Sequence, residues 1–85
     1  MYICKEVSPM SKKHQQELRM LGLTIAYHRK LRGMTQLDLA ERINISRTHI
    51  SNIEAPNGTT SVSLETLFDI AEALEMDIKD LFDFR

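Results

Sequence analysis

One twenty-residue stretch constrains this chain more than any other. Gln36–Ala55 places apolar residues at Leu37, Leu39, Ala40, Ile43, Ile45, Ile50 and Ile53. Leu39, Ala40 and Ile43 share one helical face, Ile50 and Ile53 share another, and both runs are too short to stand alone. Thr35-x-x-Asp38 reads as a capping box opening the first helix, Gln36 to Ile43. Asn44 tolerates the left-handed conformation of a tight inter-helix turn, and Ser46 caps the second helix, Arg47 to Glu54. Ala40 supplies the small side chain that two steeply crossing helices need, while Ile45 plugs the turn between them. The pattern is two short helices locked at a steep angle.

The remaining chain supplies elements to pack against that pair. Ser11 is a candidate cap for a long helix ending near Arg32, with Gly33 as its stop. Ser63 caps a fourth helix to about Leu74, with Leu64, Leu67, Ile70, Ala71 and Leu74 on one stripe. Asp77 opens a last short helix ending near Phe82. The fold class expected is all-α: a compact five-helix bundle containing a helix-turn-helix. Residues 1–16 form an N-terminal arm and the start of the first helix, and residues 17–83 form the single domain.

A helix-turn-helix lays its second helix in the DNA major groove. The outward side chains of that helix are Arg47, Thr48, Ser51 and Asn52. Arg pairs with the O6 and N7 of guanine and Asn with the N6 and N7 of adenine, so these are candidate base contacts. His49, beside them, is a candidate phosphate contact, with half-buried packing as the alternative. Taken whole, the net charge of −1 argues against nucleic acid, but it is an average over two unlike halves. Residues 1–54 carry nine Lys and Arg against five Asp and Glu, a net of +4. Residues 55–85 carry two against seven, a net of −5. The basic half holds the helix-turn-helix.

The order Leu21-Gly22…Ile25…Arg29…Gly33-Met34-Thr35-Gln36…Leu39-Ala40…Ile43…Ile45-Ser46…Ile50…Ile53-Glu54 resembles the phage Cro/repressor and Xre-like regulators. The resemblance continues through Leu64…Leu67…Ile70-Ala71…Ala73-Leu74…Leu81-Phe82. It implies a phage repressor-like DNA-binding domain with Arg47, Thr48 and Asn52 as the main base readers. Gln36 matches a residue that contacts the DNA backbone and can buttress the first reader. Ser46 is placed to meet a phosphate as well as to cap its helix. Arg29 and Glu54 match a partly buried, structural ion pair. Asn57 and Thr59 match a loop whose amides and short polar groups approach phosphates. This sequence departs from the pattern in that loop, which is longer by about two residues and carries Pro56 where Gly is common. Glu75 also stands where Gly is common and points to a different helix ending, and His28 takes a usually apolar place.

A second apolar stripe on the first helix complicates the picture. Leu18, Leu21, Ile25 and His28 define the expected core arc, while Met20, Leu23, Tyr27 and Leu31 cluster on another. Either the arm, with Tyr2, Ile3 and Val7, folds over that stripe, or a second copy does. The expected partner is double-stranded DNA bearing an inverted repeat, bound by a homodimer with reading helices about 34 Å apart. An antitoxin that binds a toxin and represses its own operon is the alternative function, and a protein-interaction module without DNA binding is a third. No nucleophile–base set, phosphate-cradling glycine loop or ligand cluster marks an enzyme, a cofactor or a metal site. With one cysteine, Cys4, and no apolar run of membrane length, the expectation is a cytoplasmic repressor from a bacterium, phage or mobile element.

Overall fold

Each helix of the pair begins and ends on a hydrogen-bonded cap. The structure, a computed structural model, describes residues 14–55 and 62–83. Among these residues, five helices follow one another without a strand: α1 Gln15–Leu31, α2 Gln36–Ile43, α3 Arg47–Glu54, α4 Leu64–Ala73 and α5 Ile78–Leu81. The Thr35 hydroxyl accepts from the Asp38 N–H at 3.0 Å, and the Thr35 N–H donates to Asp38 Oδ2 at 2.9 Å. That backbone bond, with the Thr35 hydroxyl and Arg42 assisting, holds the Asp38 carboxyl below its ordinary pKa. Ser46 Oγ accepts from the His49 N–H at 3.0 Å, and Ser63 Oγ from the Thr66 N–H at 3.1 Å. The last helix departs from expectation: Asp77 precedes α5 but makes no side-chain cap bond. The first does too. It begins at Gln15 with His14 before it, also uncapped, and Ser11 lies outside the described residues.

Three helices end in the same way. Gly33, Asn44 and Glu75 have φ of 71°, 64° and 57°, and each reverses the chain after α1, α2 and α4 respectively. In each, the next residue's N–H reaches back five positions: Met34 to Arg29, Ile45 to Ala40 and Met76 to Ala71, at 2.9–3.1 Å. This is the Schellman arrangement, which satisfies carbonyls the helix end leaves open. Glu75 therefore does not produce a different ending. It takes the glycine conformation and bears the steric cost of its Cβ.

The core is a single cluster. Leu21 and Ile25 of α1, Leu39 and Ala40 of α2, and Ile50 and Ile53 of α3 meet Leu67, Ile70, Ala71, Ala73, Leu74 and Leu81. Ile43 and Ile45 pack against it from a half-buried position at the turn. Three expected core positions move. Leu64, first residue of α4, is exposed, and burial along that helix begins only at Leu67. On α1 the buried arc is Leu21, Gly22, Ile25 and Arg29, so Arg29 takes the inward place expected of His28. Leu18 and His28 are half-buried, and the His28 ring meets Tyr27 edge-on at 5.1 Å. Leu23, Tyr27 and Leu31 stay exposed along α1, and Phe68 and Phe82 are exposed on the C-terminal side. None of the helices among the described residues is long and apolar enough to cross a membrane.

Candidate nucleic-acid interface

The geometry of α3 divides its eight residues sharply. Ile50, Ile53 and Glu54 are buried, whereas Arg47, Thr48 and Asn52 are exposed and Ser51 is half-buried. The exposed side chains share the face opposite the isoleucines, as the helical period requires. His49 is half-buried at the edge of that face. Ser46 is exposed at the helix start, where no acidic residue offsets the positive end of the helix dipole. Such an end favours an anion, and its open N–H groups are oriented to bind one. Asn57 and Thr59 lie outside the described residues.

The C-terminal end of α3 is fixed against α1 by a buried ion pair. Arg29 Nε donates to Glu54 Oε2 at 2.8 Å, and Arg29 Nη2 to Glu54 Oε1 at 2.9 Å. Arg29 Nη1 donates to the Met34 carbonyl at 2.7 Å, tying in the turn after α1. Both residues are under 10 % exposed (Arg29 6 %, Glu54 7 %). A charge so desolvated is tolerated only when its hydrogen-bonding capacity is largely met, and the two-pronged fit of guanidinium to carboxylate does this.

A second contact brings α1 and α3 together. A Cβ on Gly22 would lie 2.3 Å from the Ile53 carbonyl oxygen and 3.3 Å from the Glu54 Cα. Only glycine permits that approach of backbones. Sequence reasoning gave this glycine no role, although a signal was present. A glycine inside a long helix costs about 1 kcal/mol against alanine, and usually marks close packing.

The Arg29–Glu54 pair is also joined to the exposed face. Gln36 Nε2 donates to Glu54 Oε1 at 3.0 Å, and Gln36 Oε1 accepts from Arg47 Nη1 at 3.3 Å. Gln36 is the first residue of α2, so this side chain spans from one helix of the pair to the other. The contact of Gln36 with Arg47 is the buttress that the family resemblance implies, but its continuation to Glu54 was not legible from spacing. It needs three residues from two helices to meet, and the positions 36, 47 and 54 have no common period.

Comparison with known proteins places this geometry. The Helix-turn-helix family model matches residues 25–81, a span covering α2 to α5 and the last part of α1. Control protein C.BamHI of Bacillus amyloliquefaciens is 45% identical over 52 residues, which cover 61% of this chain and 62% of that protein. The match thus spans about three-fifths of that relative's length. An HTH-type transcriptional regulator of Methanocaldococcus jannaschii is 38% identical over 58 residues, covering 68% of this chain and 85% of that one. Among solved structures, the restriction-modification controller protein C.AhdI of Aeromonas hydrophila superposes with a TM-score of 0.73 at 27% identity. That superposition covers 79% of this chain and 98% of C.AhdI.

Proposed function

The chain belongs to the helix-turn-helix family of Xre-like DNA-binding transcription regulators, and we propose that it acts as a controller of restriction-modification genes. The observation that carries this reading is α3 itself, anchored by Ile50, Ile53 and Glu54 and presenting Arg47, Thr48 and Asn52 to solvent. In the proposed complex those three residues read base edges in the major groove, with Ser51 beside them. Gln36, Ser46 and His49, together with Asn57 and Thr59, meet the sugar-phosphate backbone. Affinity then comes mainly from phosphate contacts and falls steeply with salt, while the outer face of α3 supplies discrimination. The named relatives being control proteins favours this reading over toxin neutralisation.

The protein binds in the cytoplasm as a two-fold dimer on an inverted repeat. The stripe Leu23, Tyr27 and Leu31 is the observation favouring association, since a small monomer seldom leaves such side chains aligned and exposed. A dimer seated over promoter DNA excludes polymerase, which is the repressor reading. Selection from random DNA tests all of this together. The expected product is an inverted repeat with half-sites about one helical turn apart. Arg47→Ala then loses preference at one base pair per half-site, by about 1–3 kcal/mol for a two-pronged contact. Equal weakening on selected and random DNA would contradict the reading role. Light scattering that gives a monomer both free and on the selected DNA removes the dimer.

A further inference from the structure

We propose that Glu54 is a positioning residue for base reading: through Gln36 it sets the direction in which Arg47 leaves the protein surface. The inference rests on the DNA-reading role of Arg47 proposed above. It goes beyond the structural ion pair, because a carboxylate serving only to neutralise Arg29 has no need to bond α2.

The argument begins with the amide of Gln36. One end carries hydrogens and the other lone pairs, so the side chain can face its neighbours in two senses. Glu54 Oε1 can only accept, so it draws the Nε2 donor at 3.0 Å. The carbonyl end is then left facing Arg47 and accepts from its Nη1 at 3.3 Å. The reverse sense would set the amide oxygen against a carboxylate and the amide hydrogens against a guanidinium, unfavourable at both ends. Glu54 therefore determines that Gln36 offers an acceptor towards the exposed face.

Glu54 can dictate this because it cannot itself turn. Arg29 holds both its oxygens at 2.8 and 2.9 Å, and Arg29 is held in turn by the Met34 carbonyl at 2.7 Å. Orientation passes from this buried group through a half-buried amide to an exposed guanidinium. Arg47 gains most from such a tether, being a long, exposed side chain at the first position of α3. Ordering a side chain of that kind before DNA arrives removes part of the entropic cost of a two-pronged base contact.

The test uses the full chain and the sequence that it selects. Binding is measured on the selected site, on random DNA, and on sites changed at the base pair whose preference Arg47→Ala abolishes. Two variants are compared, each verified as folded at the assay temperature by its thermal melt. Glu54→Gln places a donor and an acceptor against Gln36 and so removes the imposed sense. Gln36→Met keeps length and apolar packing, leaves the Arg29–Glu54 pair untouched, and removes the amide. Both are expected to lower the preference at that one base pair by roughly two- to tenfold, the range for ordering one side chain. Preferences elsewhere should persist, and the double variant should lose no more at that position than either single one. Loss of a Gln36 phosphate contact lowers all affinities together and is separated by this readout.

The proposal is overturned if Gln36→Met keeps the wild-type preference at that base pair, or if the two effects add. Should Glu54→Gln not fold, Gln36→Met in the Arg47→Ala background decides. A further position-specific loss there, with Arg47 already absent, also overturns it. A wild-type protein that selects no sequence removes the reading role of Arg47 and this inference with it, an outcome distinct from a motif the variants leave unchanged.

Discussion

The C-terminal end of α1 is joined to two other parts of the fold by the same chemistry, with different consequences. Arg29 reaches Glu54 at the end of α3, and Arg32 reaches Glu75 just beyond the end of α4. The first pair is buried, with side chains 8% and 5% exposed and contacts of 2.8 and 2.9 Å. The second is open, at 42% and 72%, with a contact of 3.2 Å. Burial decides what each does. Water and salt screen the outer pair, and holding two long side chains together cancels much of its attraction. The inner pair has no solvent to return to, so its partners are committed to each other and α3 is held in one pose. An arginine–glutamate pair can therefore position a helix in one place and contribute little in another, three residues along the same chain.

Removing one partner from each joint separates them most clearly. Arg29→Met leaves the Glu54 carboxylate buried and facing only Gln36, and we expect a loss of about 3–5 kcal/mol. Against the roughly 4–13 kcal/mol typical of a domain this size, that is a large share. Chemical denaturation measures it. A loss under ~1 kcal/mol would mean that the inner joint behaves like the outer one. Adding Glu54→Leu to Arg29→Met sharpens the point, because apolar replacement of a whole buried pair often restores stability. The expected double variant regains much of the fold yet has nothing to orient Gln36.

The inner joint also has a steric half that the outer one lacks. Gly22→Ala puts a methyl group 2.3 Å from the Ile53 carbonyl oxygen, and backbone cannot step aside as a flexible side chain would. The expected cost is about 1–3 kcal/mol from overpacking, after which the better helix propensity of alanine returns part. A melt at or above the wild-type temperature would show that α3 can shift. If it does shift, binding to the selected DNA should weaken even where the fold survives.

How much of these joints the sequence revealed follows from how local each determinant is. The ends of α2 and α3 were legible because Thr35, Asp38, Asn44 and Ser46 act within a few residues of themselves. The inner faces of the pair followed from period alone, as did the outward Arg47, Thr48 and Asn52. Period alone put His28 rather than Arg29 on the inward arc, and the buried Arg29 was foreseen only through the ion pair with Glu54 that the family resemblance implies. Hydropathy disfavours burying arginine, and only a partner twenty-five residues away, with the Met34 carbonyl, reverses that preference. Period is equally silent on Gly22, whose neighbour is the end of another helix, and on the bond from Gln36 to Glu54. The exposed start of α4 at Leu64 reflects a third kind of miss, since an amphipathic stripe does not say where along its length burial begins.

The outer joint offers the smallest effects and a reversed sign. Glu75 has φ 57°, a conformation that crowds its Cβ, and its carboxylate gains only an open contact to Arg32 in return. Glu75→Gly removes the crowding, worth about 1 kcal/mol at one residue, and gives up a pair worth about 0–1 kcal/mol before screening. Arg32 keeps its other bond, from Nη2 to the backbone carbonyl of residue 75 at 3.2 Å, since that acceptor survives the substitution. A net gain of a few tenths to ~1 kcal/mol is expected, raising the melting temperature by up to roughly 4–8 °C for a domain of this length. Arg32→Ala, by contrast, should move it by less, and downward. If Glu75→Gly lowers the melting temperature instead, the outer pair contributes more than its exposure allows, and burial does not account for the contrast between the two joints.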